Sequence, residues 1–334
     1  MSDLCIKGEE MKAAIITQLG TTPVYSDYPD PVPANENELL LKVEAASVKN
    51  LDKLRASGKH YASYTELPAV VGIDGVGTLE DGTRVYAQGI SGTLAEQALI
   101  RKGHYVIVPE GLDNIQAAAL PNAVIGAAMA LRFRAKMKAG DVVLINGATG
   151  VTGQLAVQLA RYDGASKIIV TGRNAGVLEE LKGLGADEVI SLLGSDEEII
   201  DRIKGLHKET PISCVIDYLW GKPVELIISA LKGGGVDSFT PQVKIVTVGS
   251  MAGETITLGS GTLRSSAIEI LGSGLGSLSK DELNRFYTEI LPEVFDLAKQ
   301  GKLKLNTEVM LLSEIEKAWN KKLEGGVRLV ISAD

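Results

Sequence analysis

Apolar positions follow two regimes along the chain. Up to about residue 120 they come in short runs broken by glycine and proline. Glu38 to Ala46 (ELLLKVEAA) alternates with the period of a half-buried strand, and Met11 opens another such run (MKAAIITQLG). Leu67 to Ala87 reads as strand, turn, strand, with Asp81-Gly82 as the hairpin signal. Residues 92–110 add further short strands, and 47–58 predicts a short helix ending at a glycine cap. This third of the chain is all-β and barrel-like. Beyond Leu120 strands and helices alternate. A helix is predicted over 121–139 with Pro121 near its start. Strands follow at 141–146, 167–171, 187–192, 212–219, 243–249 and 268–274, with helices between most of them. Alternation of this kind implies a parallel, doubly wound sheet. A helix over 280–299, bent at Pro292, leads to a strand–helix–strand tail that rejoins the first domain. The fold class is α/β: a barrel domain of residues 11–120 and 300–334, a parallel-sheet domain of residues 121–299, and a polar, patternless extension at 1–10.

The stretch from Asp141 to Asn174 carries the first candidate chemistry. It reads DVVLIN, GATGVTG, QLAVQLARYDGA, SKIIVTGRN: strand, glycine turn, helix, strand. Gly147, Ala148, Thr149, Gly150, Val151 and Thr152 form the turn. Against the pattern GxGxxG the first position is Ala148, so the match is AxGxxG and its context carries the reading. Gly150 lets backbone approach a pyrophosphate, Gly153 lets the helix pack close to the strand, and free N–H groups at the helix start face the phosphates. Sites that prefer NAD place Asp or Glu at the end of the second strand, for the ribose 2′-hydroxyl. Here that strand runs into Gly172, Arg173 and Asn174, with no acid. A guanidinium suits a 2′-phosphate, so the expected cofactor is NADP(H).

Composition narrows the classes. At 334 residues the chain can bury two cores. A net charge of −8 argues against nucleic acid or an anionic membrane as main partner. No apolar run is expected to be long enough to span a bilayer, and the N-terminus lacks a basic-then-apolar signal pattern. Cys5 and Cys214 are the two cysteines, far apart, which fits a reducing cytoplasm better than a disulfide framework. His60, His104 and His207 are scattered, so a zinc site with its usual ligand set is not expected.

In order and spacing VGIDGVG (71–77), GTRVYA (82–87), GTLAEQ (92–97), NGATGVTG (146–153), LGAD (184–187), VID (215–217) and VGSMAG (248–253) resemble the medium-chain dehydrogenase/reductase superfamily, in its zinc-independent quinone oxidoreductase branch. The resemblance covers the chain from Met11 onward. It implies a GroES-like barrel domain interrupted by a Rossmann domain, with the active site in the cleft between them. It also implies a small-molecule quinone or α,β-unsaturated carbonyl as substrate, direct hydride transfer, Gly249 and Ser250 beside the nicotinamide ribose, and a homodimer paired along IEILGSG. Zinc alcohol dehydrogenases carry Cys in the segment equivalent to AASVKNLD and His where this chain has Asp74. This chain departs from both, and has Gly126 and Ala128 where the branch often carries hydroxyls. Lys49 either polarises a carbonyl oxygen or pairs with Asp52. Asn50 either donates from its amide or caps the short helix. Tyr61, with Tyr64, lines the cleft or is an ordinary loop residue. Asp217 is read as structural. Two other readings stay open: a low-turnover NADP(H)-binding redox sensor or structural protein, and a zinc-free alcohol dehydrogenase.

Overall fold

The computed structural model describes residues 9–233 and 240–333. It divides into two compact units, one drawn from Met1–Pro121 and Tyr287–Asp334, the other from Asn122–Phe286. Most of the extension expected at 1–10, and Cys5 with it, lies outside the described residues.

The first unit opens with β1 (Glu10–Ile16) and β2 (Val24–Pro29), antiparallel to each other, followed by β3 (Glu38–Val48), α1 (Asn50–Ala56) and the short β4 (Ala69–Val70), which adds to β1. Next come β5 (Asp74–Thr78), β6 (Arg84–Gly89) and β7 (Gln97–Ile107). β3 pairs with β5, β5 with β6, β6 with β7 and β7 with β3 again, so these four strands close on themselves. Inside lie Leu41, Val43, Val85, Ala87, Ala98 and Ile100, the inward half of each alternating run. The short strands expected over 92–110 prove to be one long strand. β7 can run continuously because its first half pairs with β3 and its second half with β6, across Gly103 in a left-handed conformation (φ 76°).

The helix expected at 121–139 begins earlier, as α2 (Asn114–Ala128), and widens into a π turn over Met129–Ala135. Its start is set by Asp113, whose carboxylate accepts the Gln116 N–H at 2.8 Å, and Pro121 sits inside the helix. This helix corrects a second expectation. Asn114–Ala135 spans 22 residues and is long and apolar enough, by length and composition, to cross a membrane; 67% of its apolar window is buried within the protein, as for a core helix.

The second unit runs β8 (Val142–Asn146), α3 (Val151–Tyr162), β9 (Lys167–Gly172), α4 (Ala175–Gly183), β10 (Glu188–Ser191), α5 (Asp196–Glu209), β11 (Cys214–Asp217), α6 (Gly221–Leu231), β12 (Val243–Thr247), α7 (Ser260–Arg264) and β13 (Ile268–Gly272). The strands are parallel, in the order β10-β9-β8-β11-β12-β13. Leu144, Ile169, Val215 and Ile245, one from each of four strands, are fully buried in its core. The order reverses between β8 and β11, and such a switch point is where open α/β sheets bind ligands, at the carboxyl ends of the strands.

The chain then forms α8 (Lys280–Arg285), a π turn Phe286–Ile290 and α9 (Leu291–Lys299), a continuous helical run over 280–299 in which the π turn directly precedes Pro292 at the start of α9. The tail supplies β14 (Asn306–Leu311), α10 (Ile315–Asn320) and β15 (Val327–Ser332). β15 runs antiparallel to β3 and β14 parallel to β15, so the tail rejoins the barrel sheet. The architecture is a small closed barrel of GroES-like type and a doubly wound parallel sheet of Rossmann type.

Candidate functional site

The glycine turn follows β8 at the switch point. Gly147 has a left-handed backbone (φ 84°), and its N–H, like that of Ala148, donates to the Thr171 carbonyl, at 3.2 and 2.9 Å. Those two donors hold the turn to β9 and are spent. Gly150 is the N-cap of α3, and the first bond into the helix runs from Gln154 N–H to Gly150 O at 2.9 Å. The N–H groups of Val151, Thr152 and Gly153 therefore precede the intrahelical ladder. A Cβ added at Gly150 would meet nothing within 4 Å, whereas one at Gly153 would stand 2.6 Å from Ala148 Cα. One glycine leaves the helix start uncovered and the other brings helix onto turn.

At the end of β9, Arg173 is exposed and has no hydrogen-bond or ion-pair partner among the described residues. Asn174 is the N-cap of α4, its side chain accepting from Val177 N–H at 3.2 Å. No carboxylate stands at that strand end, so the donor set suits a phosphorylated ribose. Beyond β12, Gly249 packs under Tyr218, whose carbonyl would lie 2.9 Å from an added Cβ, and Ser250 Oγ donates to Glu254 at 2.6 Å. Leu192 packs into the apolar core of the sheet.

Beneath the turn lies a polar row that sequence reading did not assemble. Thr171 on β9 donates to Asn146 on β8 at 2.6 Å, Asn146 donates to Asp217 on β11 at 2.7 Å, and Thr247 on β12 bonds the same carboxylate. Register places these residues side by side across four neighbouring strands. Asp217 also accepts the N–H groups of Leu219 and Trp220. Burial raises its pKa, against the pull of those donors. The signal was present: each apolar strand closes on a polar residue, VVLIN, IVT, CVID, IVT.

In the first unit Lys49 caps α1 at the end of β3, and its ammonium is buried. Nζ lies 2.8 Å from Asp74, 2.9 Å from the Ser47 carbonyl and 3.3 Å from Asp52. The salt bridge anticipated with Asp52 is thus present, and Asp74 is the closer partner. Burial alone would lower the Lys49 pKa, but the two carboxylates outweigh it and raise it. Burial also raises that of Asp52, which Lys49 opposes. Arg328 on β15 completes a charge-balanced cluster of two cations and two carboxylates. The helix cap is not Asn50: the Asp52 carboxylate accepts the Lys49 N–H at 2.8 Å, and Asn50 is the exposed first residue of α1. Tyr61 is 91% exposed and rests on His60, with ring centroids 4.1 Å apart. Tyr64 is partly buried against the Arg55 guanidinium at 4.9 Å, and burial pushes its phenol up to about 12. Among the described residues no three His, Cys, Asp or Glu side chains converge as metal ligands.

The chain is similar to proteins of one kind. A family model described as a zinc-binding dehydrogenase matches residues 151–292. Quinone oxidoreductase of Sus scrofa is 31% identical over 78% of this chain and 78% of its own length. A probable NADPH-dependent quinone reductase of Emericella nidulans is 28% identical over 96% of this chain and 99% of its own. The solved structure of a mycobacterial quinone oxidoreductase superposes with a TM-score of 0.81 at 22% identity, covering 96% of this chain and 99% of that one.

Proposed function

The chain belongs to the medium-chain dehydrogenase/reductase superfamily, in its quinone oxidoreductase-like branch, and from that premise we propose an NADPH-dependent, zinc-independent enzyme that reduces quinones or α,β-unsaturated carbonyls. Bound NADPH would supply a hydride to the conjugated acceptor. The observation that carries the proposal is the glycine turn at the switch point, with the N–H groups of Val151, Thr152 and Gly153 unspent and Arg173 unpaired, among the described residues, at the neighbouring strand end. The helix start would hold the pyrophosphate and Arg173 would hold the 2′-phosphate. The name of the Emericella relative supports NADPH as the coenzyme.

Zinc independence rests on donor chemistry. Where a zinc site would need soft or imidazole ligands, Lys49 and Asp74 neutralise each other. A metal assay on the purified protein is expected to find less than stoichiometric zinc, and chelation to leave activity intact. A conjugated acceptor is the fitting substrate for a metal-free site, because conjugation spreads the charge that a metal would otherwise stabilise. Lys49 acts here by position: its contacts with Asp74, Ser47 and Asp52 are those of a fixed internal cation. That saturation is also the observation favouring the low-turnover alternative. Coenzyme oxidation with a panel of small quinones separates the two readings. We further place a homodimer contact at the free edge of β13, and the protein in the cytoplasm.

Arg173→Ala tests the coenzyme assignment. Losing a charged, bidentate partner costs about 1.5–3 kcal/mol, roughly ten- to a hundredfold in Kd. That loss is expected for NADPH and not for NADH; an equal loss for both removes Arg173 from the selectivity argument.

A further inference from the structure

We propose that Gly126 and Gly172 are positioning residues: each seats the methyl of a threonine in the glycine turn, and the seating aims the Thr152 and Thr149 hydroxyls at the dinucleotide. The inference rests on the coenzyme reading above and goes beyond it by assigning two residues outside the turn.

Neither glycine is explained by its backbone. Both have ordinary φ angles, unlike Gly147 with its left-handed conformation. Gly126 lies inside α2, where glycine costs about 1 kcal/mol relative to alanine, so a packing reason is required. That reason is a methyl group. A Cβ added at Gly126 would stand 2.9 Å from Thr152 Cγ2, with Val248 Cγ1 at an ordinary 3.7 Å. A Cβ added at Gly172 would overlap Thr149 Cγ2 outright, while Leu178 Cδ2, at 3.3 Å, is the end of a flexible side chain. The space beside Gly126 and Gly172 is thus filled by the turn's own threonines. Since methyl and hydroxyl share one carbon in threonine, fixing the first fixes the second.

The hydroxyls so fixed are unspent. Neither Thr149 nor Thr152 bonds another described residue through its hydroxyl, and neither oxygen is among the buried atoms without a partner. Thr171, by contrast, donates to Asn146 within the polar row. Thr149 immediately precedes the N-cap of α3, and Thr152 lies in the helix's first turn, beside the free N–H groups. An available hydroxyl held next to unspent amides is suited to bond a phosphate or ribose oxygen.

The test is calorimetric titration with NADPH, alongside thermal melts of each protein without coenzyme. Thr149→Val and Thr152→Val keep the methyl seat and lose the hydroxyl. Each is expected to melt as wild type and to raise the NADPH Kd about three- to tenfold. Gly126→Ala and Gly172→Ala unseat the methyl and are expected to weaken NADPH at least as much. The pairs Gly126→Ala/Thr152→Ser and Gly172→Ala/Thr149→Ser keep the hydroxyl and let the alanine methyl occupy the vacated space, so each is expected to recover part of the affinity its alanine single variant loses, and not all of it, because a serine hydroxyl has no seated methyl to fix it. Valine variants that bind NADPH like wild type overturn the hydroxyl role. Single alanine variants that bind normally, or serine pairs that fail to recover while folded, overturn the seat. A wild-type protein that takes up neither NADPH nor NADH rejects the coenzyme reading and this inference together, and is seen before any variant is made.

Discussion

Lys49 is 2% exposed and remains charged because Asp74 and Asp52 stand 2.8 and 3.3 Å from its ammonium. Lys49→Met would leave two buried carboxylates facing Arg328 alone. Breaking a buried pair from one side costs about 3–5 kcal/mol, so the variant is expected to melt well below wild type. The pH dependence has a definite sign. Lys49 has a folded pKa above its ordinary 10.5. Its stabilisation is therefore complete below that value and is lost as pH rises through the higher, folded one. The gap in melting temperature between wild type and Lys49→Met should hold on the alkaline side up to about 10 and close only above it; a gap that closes between about pH 8 and pH 9 contradicts the assignment. The Lys49–Asp52 contact was readable from its i,i+3 spacing. Asp74 was not, because 25 residues separate it from Lys49 and only the closing of the barrel brings β5 beside the end of β3. Of the two roles open to Asn50, capping falls to its neighbours: Asn is a favoured capping residue, but here Lys49 is the N-cap and the Asp52 carboxylate accepts its N–H.

The glycine turn shows how two glycines three residues apart do different work. Gly150 faces open space at φ −83°, and Gly153 is pressed against Ala148 Cα at 2.6 Å. Gly150→Ala is expected to melt close to wild type and to weaken NADPH strongly, since its methyl points where backbone must approach the pyrophosphate. Gly153→Ala is expected to lose about 1–3 kcal/mol of stability, because backbone and not a movable side chain would have to shift. Thermal melts and coenzyme titration on the two variants check the contrast; equal effects on both measurements would refute it. This division was legible in the motif because strand, turn and helix were each unambiguous there. The polar row was not, because Asn146, Thr171, Asp217 and Thr247 meet through strand order, which no local pattern encodes. The start of α2 was missed for a related reason: a proline usually marks a helix's first turn, and the Asp113 cap upstream was the overlooked signal.

Over the whole molecule, the change from alternating short strands to alternating strands and helices marked the passage from barrel to parallel sheet, and that change was visible in composition. What the sequence left open was closure. One strand, β3, pairs with β5, β7 and the returning β15, so residues from both ends of the chain meet in one sheet. At the far edge of the other sheet β13 has no neighbour on one side among the described residues, and sedimentation is expected to give twice the chain mass; a monomer at micromolar concentration would reject the proposed dimer. The central claim is that a dinucleotide binds across the turn between β8 and α3 with its 2′-phosphate on Arg173. Calorimetric titration of the folded wild-type protein with NADPH and with NADH tests it most directly. The account predicts saturable binding of NADPH, tighter than NADH by about ten- to a hundredfold; no heat with either coenzyme, or tighter binding of NADH, would contradict it.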